Sequence, residues 1–283
     1  MRKAIISVDL DELYCYYAIH SIKTVEEKRI IPVAMERFLE LFDRTGVKGI
    51  FFTVGSDLAD QATLEILMEA ARRGHEIGCH TFSHHYDLIK RGAGEIREEI
   101  FRGKSSIEER LGVKCTWFRA PGYNVSGVVL DAAVEAGFSF DSSILPSPFY
   151  YAARAAVIAC MKISRRESRS IVGNLSHAFA GRMPGRISTA RGEIEEFPIS
   201  VFGAAGIPVI GTTLAAAPEW LFNRMMKRVA GRDYLNVEFH AIDLACAETD
   251  NLDNRLLVEP ALKKPLDARI QRFSEFLKIA TKN

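Results

Sequence analysis

The first side chains in this sequence that could do chemistry are the two acids in Ser7-Val8-Asp9-Leu10-Asp11, which end a short apolar segment. Residues two apart in an extended strand point to the same side, so both carboxylates share one face. Two acids held side by side favour a bound cation or an unusual proton arrangement. Acids on a surface loop after a strand give the same pattern, and the motif alone leaves both interpretations open.

A second motif places two imidazoles four residues apart, in His80-Thr81-Phe82-Ser83-His84. On a helical turn this spacing brings both rings within reach of one metal ion. Capped loops and buried histidines produce the same pair by accident. The pair therefore indicates a metal site strongly only in combination with Asp9 and Asp11. We interpret the adjacent His85 as a surface residue or as a supporting contact.

Three more polar motifs occur later in the chain. The proline and glycine in Arg119-Ala120-Pro121-Gly122-Tyr123 fix a turn that would aim the guanidinium and nearby backbone N–H groups inward. Asp141 opens Asp141-Ser142-Ser143, where a helix cap or a turn residue is the alternative interpretation. Asn236, Glu238 and His240 alternate along a late apolar segment, so they share one face of a strand.

All of these motifs lie at or just after the carboxyl end of a predicted strand. Apolar strand-like segments alternate with helical ones, a pattern typical of a parallel barrel or a doubly wound sheet. Parallel barrels build their active sites at the carboxyl ends of the strands, so we expect the polar side chains to meet. The predicted strands are 3–8, 48–54, 76–79, 116–118, 138–140, 195–201 and 235–239, and the predicted helices are 32–44, 59–73, 94–111, 126–136, 218–229 and 266–280.

Composition limits the possible classes of protein. With 283 residues, 48% of them hydrophobic, the chain can bury a large core, and its net charge of +1 predicts no nucleic-acid partner. Asp9 interrupts the amino-terminal apolar segment before a signal peptide could form, which predicts a cytoplasmic protein. The five cysteines are scattered and predict free thiols in or near the core. The apolar run 197–218 is as long as a membrane span, but its three prolines and three glycines argue against one.

Residues 150–192 form a basic segment with eight lysines and arginines against one glutamate. Its first part, residues 150–163, alternates small and apolar side chains and predicts an amphipathic helix too short to cross a bilayer. One interpretation is a solvated excursion from the barrel. The alternative is a surface for an anionic or lipid-linked substrate, with peripheral contact to the inner face of the membrane.

At these motifs the sequence resembles the polysaccharide deacetylase family, or carbohydrate esterase family four. The family's motifs are an aspartate pair, His-[Ser/Thr]-x-x-His, Arg-x-Pro-x-[Gly/Tyr], Asp-Ser and a late histidine, and the resemblance spans roughly residues 3–243. The Asp-x-Asp form of the first motif is similar to the branch of cytoplasmic deacetylases and lipid-linked formamido-arabinose deformylases. The resemblance implies an α/β fold, a distorted parallel (β/α) barrel of about seven strands. It is expected to form one domain over residues 1–283, with residues 150–192 as an excursion.

The resemblance also implies a metal site with three protein ligands and an open position for water. That arrangement is typical of catalytic zinc, and cobalt, nickel, manganese and iron also suit the donor set. Which of the two aspartates is the ligand and which is the base stays open. The implied roles are metal ligation by Asp11, His80 and His84, general base for Asp9, general acid for His240, orientation by Arg119 and Asp141, and an oxyanion contact from the backbone N–H of Tyr123.

The implied reaction is metal-dependent hydrolysis of an N-acetyl or N-formyl group from an amino sugar, which a nucleotide or a lipid phosphate could carry. The chain would then be a hydrolase of non-peptide carbon–nitrogen bonds. One alternative is a non-sugar amide hydrolase of the same fold, and another is an inactive barrel that binds glycans. An Asp9→Asn variant separates enzyme from binder, since binding survives in both and turnover is lost only in an enzyme.

Overall fold

The computed structural model describes residues 3–23, 29–163 and 171–282, and within them ten strands form two sheets. The strands are β1 (Lys3–Asp9), β2 (Ile50–Thr53), β3 (Glu76–Cys79), β4 (Trp117–Phe118), β5 (Phe140–Asp141), β6 (Gly185–Thr189), β7 (Gly192–Glu196), β8 (Val201–Phe202), β9 (Ile207–Pro208) and β10 (Tyr234–His240). The larger sheet has the order β10-β1-β2-β3-β4-β5-β7-β6, and β8 and β9 form a separate hairpin. Seven strands of the larger sheet run parallel, and β6 is antiparallel to β7. The predicted parallel α/β architecture is confirmed.

The larger sheet curls into a half-barrel. Its edge strands β6 and β10 do not pair with each other in the described part of the chain. The segment after β7 covers part of the gap, where the Ser200 N–H donates to the Asn236 carbonyl at 2.9 Å and Ile210 bridges Glu238. Every residue of β2 is buried, as expected for parallel strands that helices cover on the outside.

Helices cover the convex side of the sheet, and α2 shows how the sequence specifies them. The helices are α1 (Leu13–His20), α2 (Ile31–Thr45), α3 (Gln61–Arg72), α4 (Ala93–Leu111), α5 (Gly127–Glu135), α6 (Pro148–Ile163), α7 (Gly211–Ala216), α8 (Glu219–Val229) and α9 (Leu266–Ala280). A proline stands in the first turn of α2, and Gly46 ends it in the left-handed conformation with φ 66°. Phe38 and Phe42 of α2 are fully buried, and Phe38 packs against Phe239 of β10.

One predicted strand differs from the structure, and α1 is among the elements that were not predicted. The predicted strand 195–201 is wrong, because β7 ends at Glu196 and β8 begins at Val201, with Pro198 between them unable to donate a ladder hydrogen bond. The short helix α1 was not predicted, since all its faces are similarly apolar and no helical period shows. The apolar run 197–218 folds into the β8–β9 hairpin and α7. Among the described residues, no helix combines the length and apolarity needed to cross a membrane.

The basic segment and the cysteines were predicted in part. Helix α6 confirms the helix predicted for residues 150–163, while Arg165, Arg166 and Arg169 lie outside the described residues. All five cysteines are free thiols, as predicted. Three of them are buried, but Cys160 on α6 is exposed, so its predicted place in or near the core is wrong.

Candidate metal centre and catalytic site

The predicted site residues meet at the carboxyl ends of the parallel strands. Asp9 ends β1 and lies in register with His240, the last residue of β10. His80 and His84 follow β3, and Arg119 follows β4. These strands belong to the parallel part of the sheet, so their carboxyl ends lie along one edge. The His240 side chain is 21% exposed and marks the mouth of the site, while the others are buried.

Asp11, His80 and His84 form one compact group of potential metal ligands. Each offers one atom, and the three atoms lie within 4.8 Å of one another. Asp11 Oδ1 is 3.1 Å from His84 Nε2 and 3.5 Å from His80 Nε2. Burial alone would raise the pKa of Asp11, but His84 and His80 hold it well below its usual value. The group therefore presents a charged carboxylate beside two imidazoles.

Hydrogen bonds behind the two imidazoles leave both Nε2 atoms facing this group. His80 Nδ1 donates to the Arg119 carbonyl at 2.8 Å, and His84 Nδ1 lies 3.4 Å from Cys15 Sγ. An imidazole that donates from Nδ1 keeps the Nε2 lone pair available for a metal, the usual arrangement of ligating histidines. Asp11 Oδ1 and His84 Nε2 are buried without a hydrogen-bond partner in the described chain, which fits an ion between them. The donor set thus suits a divalent metal with an open position.

Helix α4 fixes the loop that carries the histidines. Thr81 and His84 have φ values of 65° and 53°, a region that is unfavourable for residues with a β-carbon. Glu99 of α4 accepts hydrogen bonds from the N–H and the hydroxyl of Ser83. Gly103 lets α4 approach closely, because a β-carbon there would lie 2.8 Å from the backbone of Thr81. The strained loop is therefore held from outside, as is common at functional sites.

Asp9 is held by a buried guanidinium. Arg119 Nη1 donates to Asp9 Oδ1 at 2.5 Å and to Ser7 Oγ at 3.0 Å. The other nitrogens of Arg119 donate to the carbonyl and the hydroxyl of Ser142, and its guanidinium lies over the Phe52 ring at 4.1 Å. With the guanidinium fixed on every side, the Asp9 carboxylate is fixed too.

Glu238 lies between Arg119 and His240, and no role was predicted for it. His240 Nε2 is 3.2 Å from Glu238 Oε1, and Arg119 Nη1 is 3.8 Å from Glu238 Oε2. The Tyr123 hydroxyl donates to the same Oε1 at 2.7 Å. Glu238 therefore connects the histidine at the mouth with the buried guanidinium and the tyrosine.

The charges in this cluster change the pKa of two groups in directions that suit proton transfer. Burial and the charge of Asp9 raise the pKa of Glu238 to about 7. Burial would lower the pKa of His240, but Glu238, Asp11 and Asp9 raise it to about 9. The His240 imidazole therefore carries a proton at neutral pH and can donate it.

Tyr123 contacts the site through its hydroxyl. Its backbone N–H donates to the Ala120 carbonyl at 3.3 Å within a tight turn. The oxyanion contact predicted for this N–H stays a prediction. The positive φ of Tyr123, 60°, places its ring where the hydroxyl reaches Glu238.

Asp141 supports the backbone beside Arg119 instead of contacting the guanidinium. Ser143 Oγ donates to Asp141 Oδ1 at 2.6 Å and accepts from the Ala120 N–H at 2.8 Å. Burial raises the pKa of Asp141, and burial with the charge of Asp141 raises the pKa of Glu196 well above its usual value. Glu196 is thus the protonated partner of this buried pair. The orienting role of Asp141 stays a prediction.

The sequence reasoning missed three contributors, and two of them had left a signal. Glu238 shares a strand face with His240, which the alternation along β10 already indicated. Ser142 belongs to the Asp141-Ser142-Ser143 motif, but its contact with Arg119 appears only in the folded chain. Cys15 belongs to no motif, and its contact with His84 also appears only in the folded chain. His85 lies 3.6 Å from Glu99, which fits the predicted supporting role.

Comparison with known proteins finds a family model that matches part of the chain. Residues 26–140 match the polysaccharide deacetylase family model. The uncharacterized protein YlxY of Bacillus subtilis is 32% identical over 101 residues, covering 36% of this chain and 31% of that protein. A peptidoglycan deacetylase of Helicobacter pylori is 25% identical over 122 residues, covering 42% of this chain and 40% of that protein. A bifunctional xylanase/deacetylase of Pseudobutyrivibrio xylanivorans is 30% identical over 91 residues, 32% of this chain and 15% of that protein.

The match to these relatives spans less than half of their lengths, and the family match contains His80, His84 and Arg119 but neither Asp11 nor His240. The similarity in fold covers more of the chain than the similarity in sequence. A crystal structure of a polysaccharide deacetylase candidate from Mycobacterium smegmatis matches with a TM-score of 0.57 at 17% identity, covering 85% of this chain and 77% of that chain. The chain therefore carries the sequence signature of the polysaccharide deacetylase family over residues 26–140 and the fold of such a protein over most of its length, as its motifs predict.

Proposed function

We propose that this chain is a metal-dependent hydrolase that removes an acetyl or formyl group from the nitrogen of an amino sugar. The observation that carries the proposal is the ligand group Asp11, His80 and His84, in which two buried ligand atoms make no hydrogen bond in the described chain, beside the fixed carboxylate of Asp9. The relative named as a peptidoglycan deacetylase supports an N-acetyl sugar as the substrate class.

Asp11, His80 and His84 would hold the ion, and the distances favour Asp11 over Asp9 as the carboxylate ligand. Asp11 Oδ1 lies near both imidazoles, whereas the nearest histidine contact of Asp9 is 3.7 Å and Arg119 already pairs its other oxygen. When bound, a divalent metal lowers the pKa of water and polarises the acyl carbonyl. Zinc is the default, and cobalt, nickel, manganese and iron suit the same donors.

The remaining residues would move the protons of the hydrolysis. Asp9, held by Arg119, accepts a proton from the water that attacks the acyl carbon. His240 donates a proton to the nitrogen as the carbon–nitrogen bond breaks, and its raised pKa keeps that proton available at neutral pH. Glu238 and Tyr123 position His240 from behind. The products are a carboxylate and a free amine.

A panel of substrates combined with metal analysis tests the proposal. Purified protein would be analysed for bound metal, and amine release measured on N-acetyl and N-formyl sugars in free, nucleotide-linked and lipid-linked forms. We expect one equivalent of metal in the wild type and in His177→Ala, a histidine outside the site, and none in His80→Ala. Absence of metal after loading, together with no amine from any substrate, would reject the proposal.

A further inference from the structure

The outward face of α6 is apolar, the reverse of an ordinary surface helix. Of its 16 residues only Tyr151 is buried. Phe149, Val157 and Ile163 are 54%, 54% and 82% exposed, and the other exposed positions are four alanines, one cysteine and one lysine. A helix on a soluble surface normally turns its apolar stripe to the core. We therefore expect a binding partner to cover this face.

Two neighbouring segments extend the apolar face. The turn Leu175–Phe179 packs against α6 and exposes both of its terminal residues, by 58% and 81%. Met183 is 61% exposed, and the adjacent Arg182 donates to the β8–β9 hairpin, which also accepts the N–H of Phe149. We call this set the α6 surface, formed by Phe149, Val157, Ile163, Leu175, Phe179 and Met183.

The charges around the α6 surface are positive. Lys162 of α6 and Arg182, next to Met183, are exposed, and residues 148–163 and 171–183 contain no aspartate or glutamate. Apolar side chains framed by cations are typical of helices that lie in the interface of an anionic membrane.

Other occupants fit this surface less well. A second copy of the chain would bring two cationic frames together, and like charges across an interface oppose association. Residues 164–170, which follow α6 in the sequence, contain no apolar side chain that could cover it. We propose that the α6 surface docks the protein onto an anionic lipid bilayer, with its apolar side chains in the acyl boundary and its cations against lipid phosphates.

The α6 surface adjoins the mouth of the candidate site. Arg154 of α6 donates to the Gly122 carbonyl at 2.7 Å, and the ring of Tyr150 packs edge-on against Tyr123, whose hydroxyl holds Glu238. A protein docked through α6 would hold this mouth near the lipid headgroups. This placement suits an acylated amino sugar attached to a lipid phosphate as the substrate, an inference that rests on the proposed function.

Vesicle sedimentation tests the docking separately from catalysis. The full chain would be mixed with vesicles of phosphatidylcholine alone or of phosphatidylcholine with phosphatidylglycerol. The variant Val157→Asp/Ile163→Asp removes part of the α6 surface, and its matched control, Leu257→Asp/Val258→Asp, changes two exposed apolar residues elsewhere. Lys162→Glu is paired with Lys227→Glu on α8, and circular dichroism checks the fold of each variant.

We expect binding only to the phosphatidylglycerol vesicles, weakening as salt rises. The Val157→Asp/Ile163→Asp variant should bind more than tenfold more weakly and Lys162→Glu at least about fivefold, with both controls unchanged. Amine release from a water-soluble substrate should stay at the wild-type level in all four, so loss of docking is distinguishable from failure of the deacylase proposal. Equal binding by the α6 variants, no binding by the wild type, or a dimer that the double variant dissociates would overturn the proposal.

Discussion

Two groups of potential ligands lie side by side in the site and differ in how their charge is balanced. Asp11, His80 and His84 have no lysine or arginine side chain among the contacts seen in the described chain. The group of Asp9, Glu238 and His240 is just as compact, but Arg119 lies 2.5 Å from Asp9 and 3.8 Å from Glu238. A buried guanidinium already supplies the cation that a metal would bring.

The difference teaches that a cluster of ligand atoms does not by itself make a metal site. In a buried site a second cation beside Arg119 would meet strong repulsion, because the low dielectric barely screens it. The same guanidinium fixes the Asp9 carboxylate in place, which suits proton transfer. We therefore propose metal binding for the first group and proton transfer for the second, and mutations can separate the two roles.

Asp11→Asn should have the largest effect. The change removes the charge of the only carboxylate in the metal group, so we expect loss of bound metal and a fall in kcat/KM of about 10⁴-fold or more. Elemental analysis and amine release measure the two effects. Asp131→Asn, which alters a surface acid that accepts from the Ala190 N–H, is the control. Full metal content in Asp11→Asn would contradict the assignment.

The Asp9→Asn variant should distinguish the metal-binding group from the proton-transfer group. The amide keeps the shape of Asp9 but cannot accept a proton, so kcat should fall about 10³-fold while metal content stays at one equivalent. Loss of metal in this variant would instead make Asp9 the ligand, the alternative that the Asp-x-Asp motif leaves open.

The first half of the chain was more predictable than the second, for a physical reason. Strands β1 to β4 and helices α2 to α4 show clear apolar periods and stop signals, and their motifs sit at strand ends. Periodicity says which residues share a face, but it does not say which face meets the core. Helix α6 was predicted, yet its apolar face points outward, and only packing decides that.

The sequence predicts those neighbours in the site that lie on one strand or in one loop. Alternation along β10 puts Glu238 beside His240, and the spacing of His80 and His84 is visible in the sequence. The contact of Tyr123 with Glu238 joins residues 115 apart, so no local pattern could show it. The same holds for Cys15, whose partner is 69 residues away.

Glu238→Gln tests the proton-transfer group by its pH dependence. In the wild type His240 has a pKa of about 9, so activity should fall as the pH rises through that value and the acid loses its proton. Removing the negative charge of Glu238 lowers the pKa of His240, and the fall should begin at a lower pH, with kcat at neutral pH reduced about tenfold. The pH profile of the metal-loaded enzyme measures both, with Glu219→Gln on α8 as the control. An unchanged alkaline limb would show that Glu238 does not act through His240.

Cys15→Ala should have the smallest effect, and it tests how the metal group is supported. The thiol lies behind His84 Nδ1, so its loss leaves the imidazole free to turn and should weaken metal affinity about tenfold. Activity at saturating metal should change little, because Asp9 and His240 are untouched. Cys15→Ser keeps a hydrogen-bonding atom and should restore most of the affinity. Cys115→Ala removes a buried thiol that donates to the Trp117 carbonyl instead of contacting a ligand, and it should leave the affinity unchanged. Metal titration of the three variants separates support of His84 from general loss of packing, since packing alone would weaken Cys15→Ala and Cys115→Ala alike.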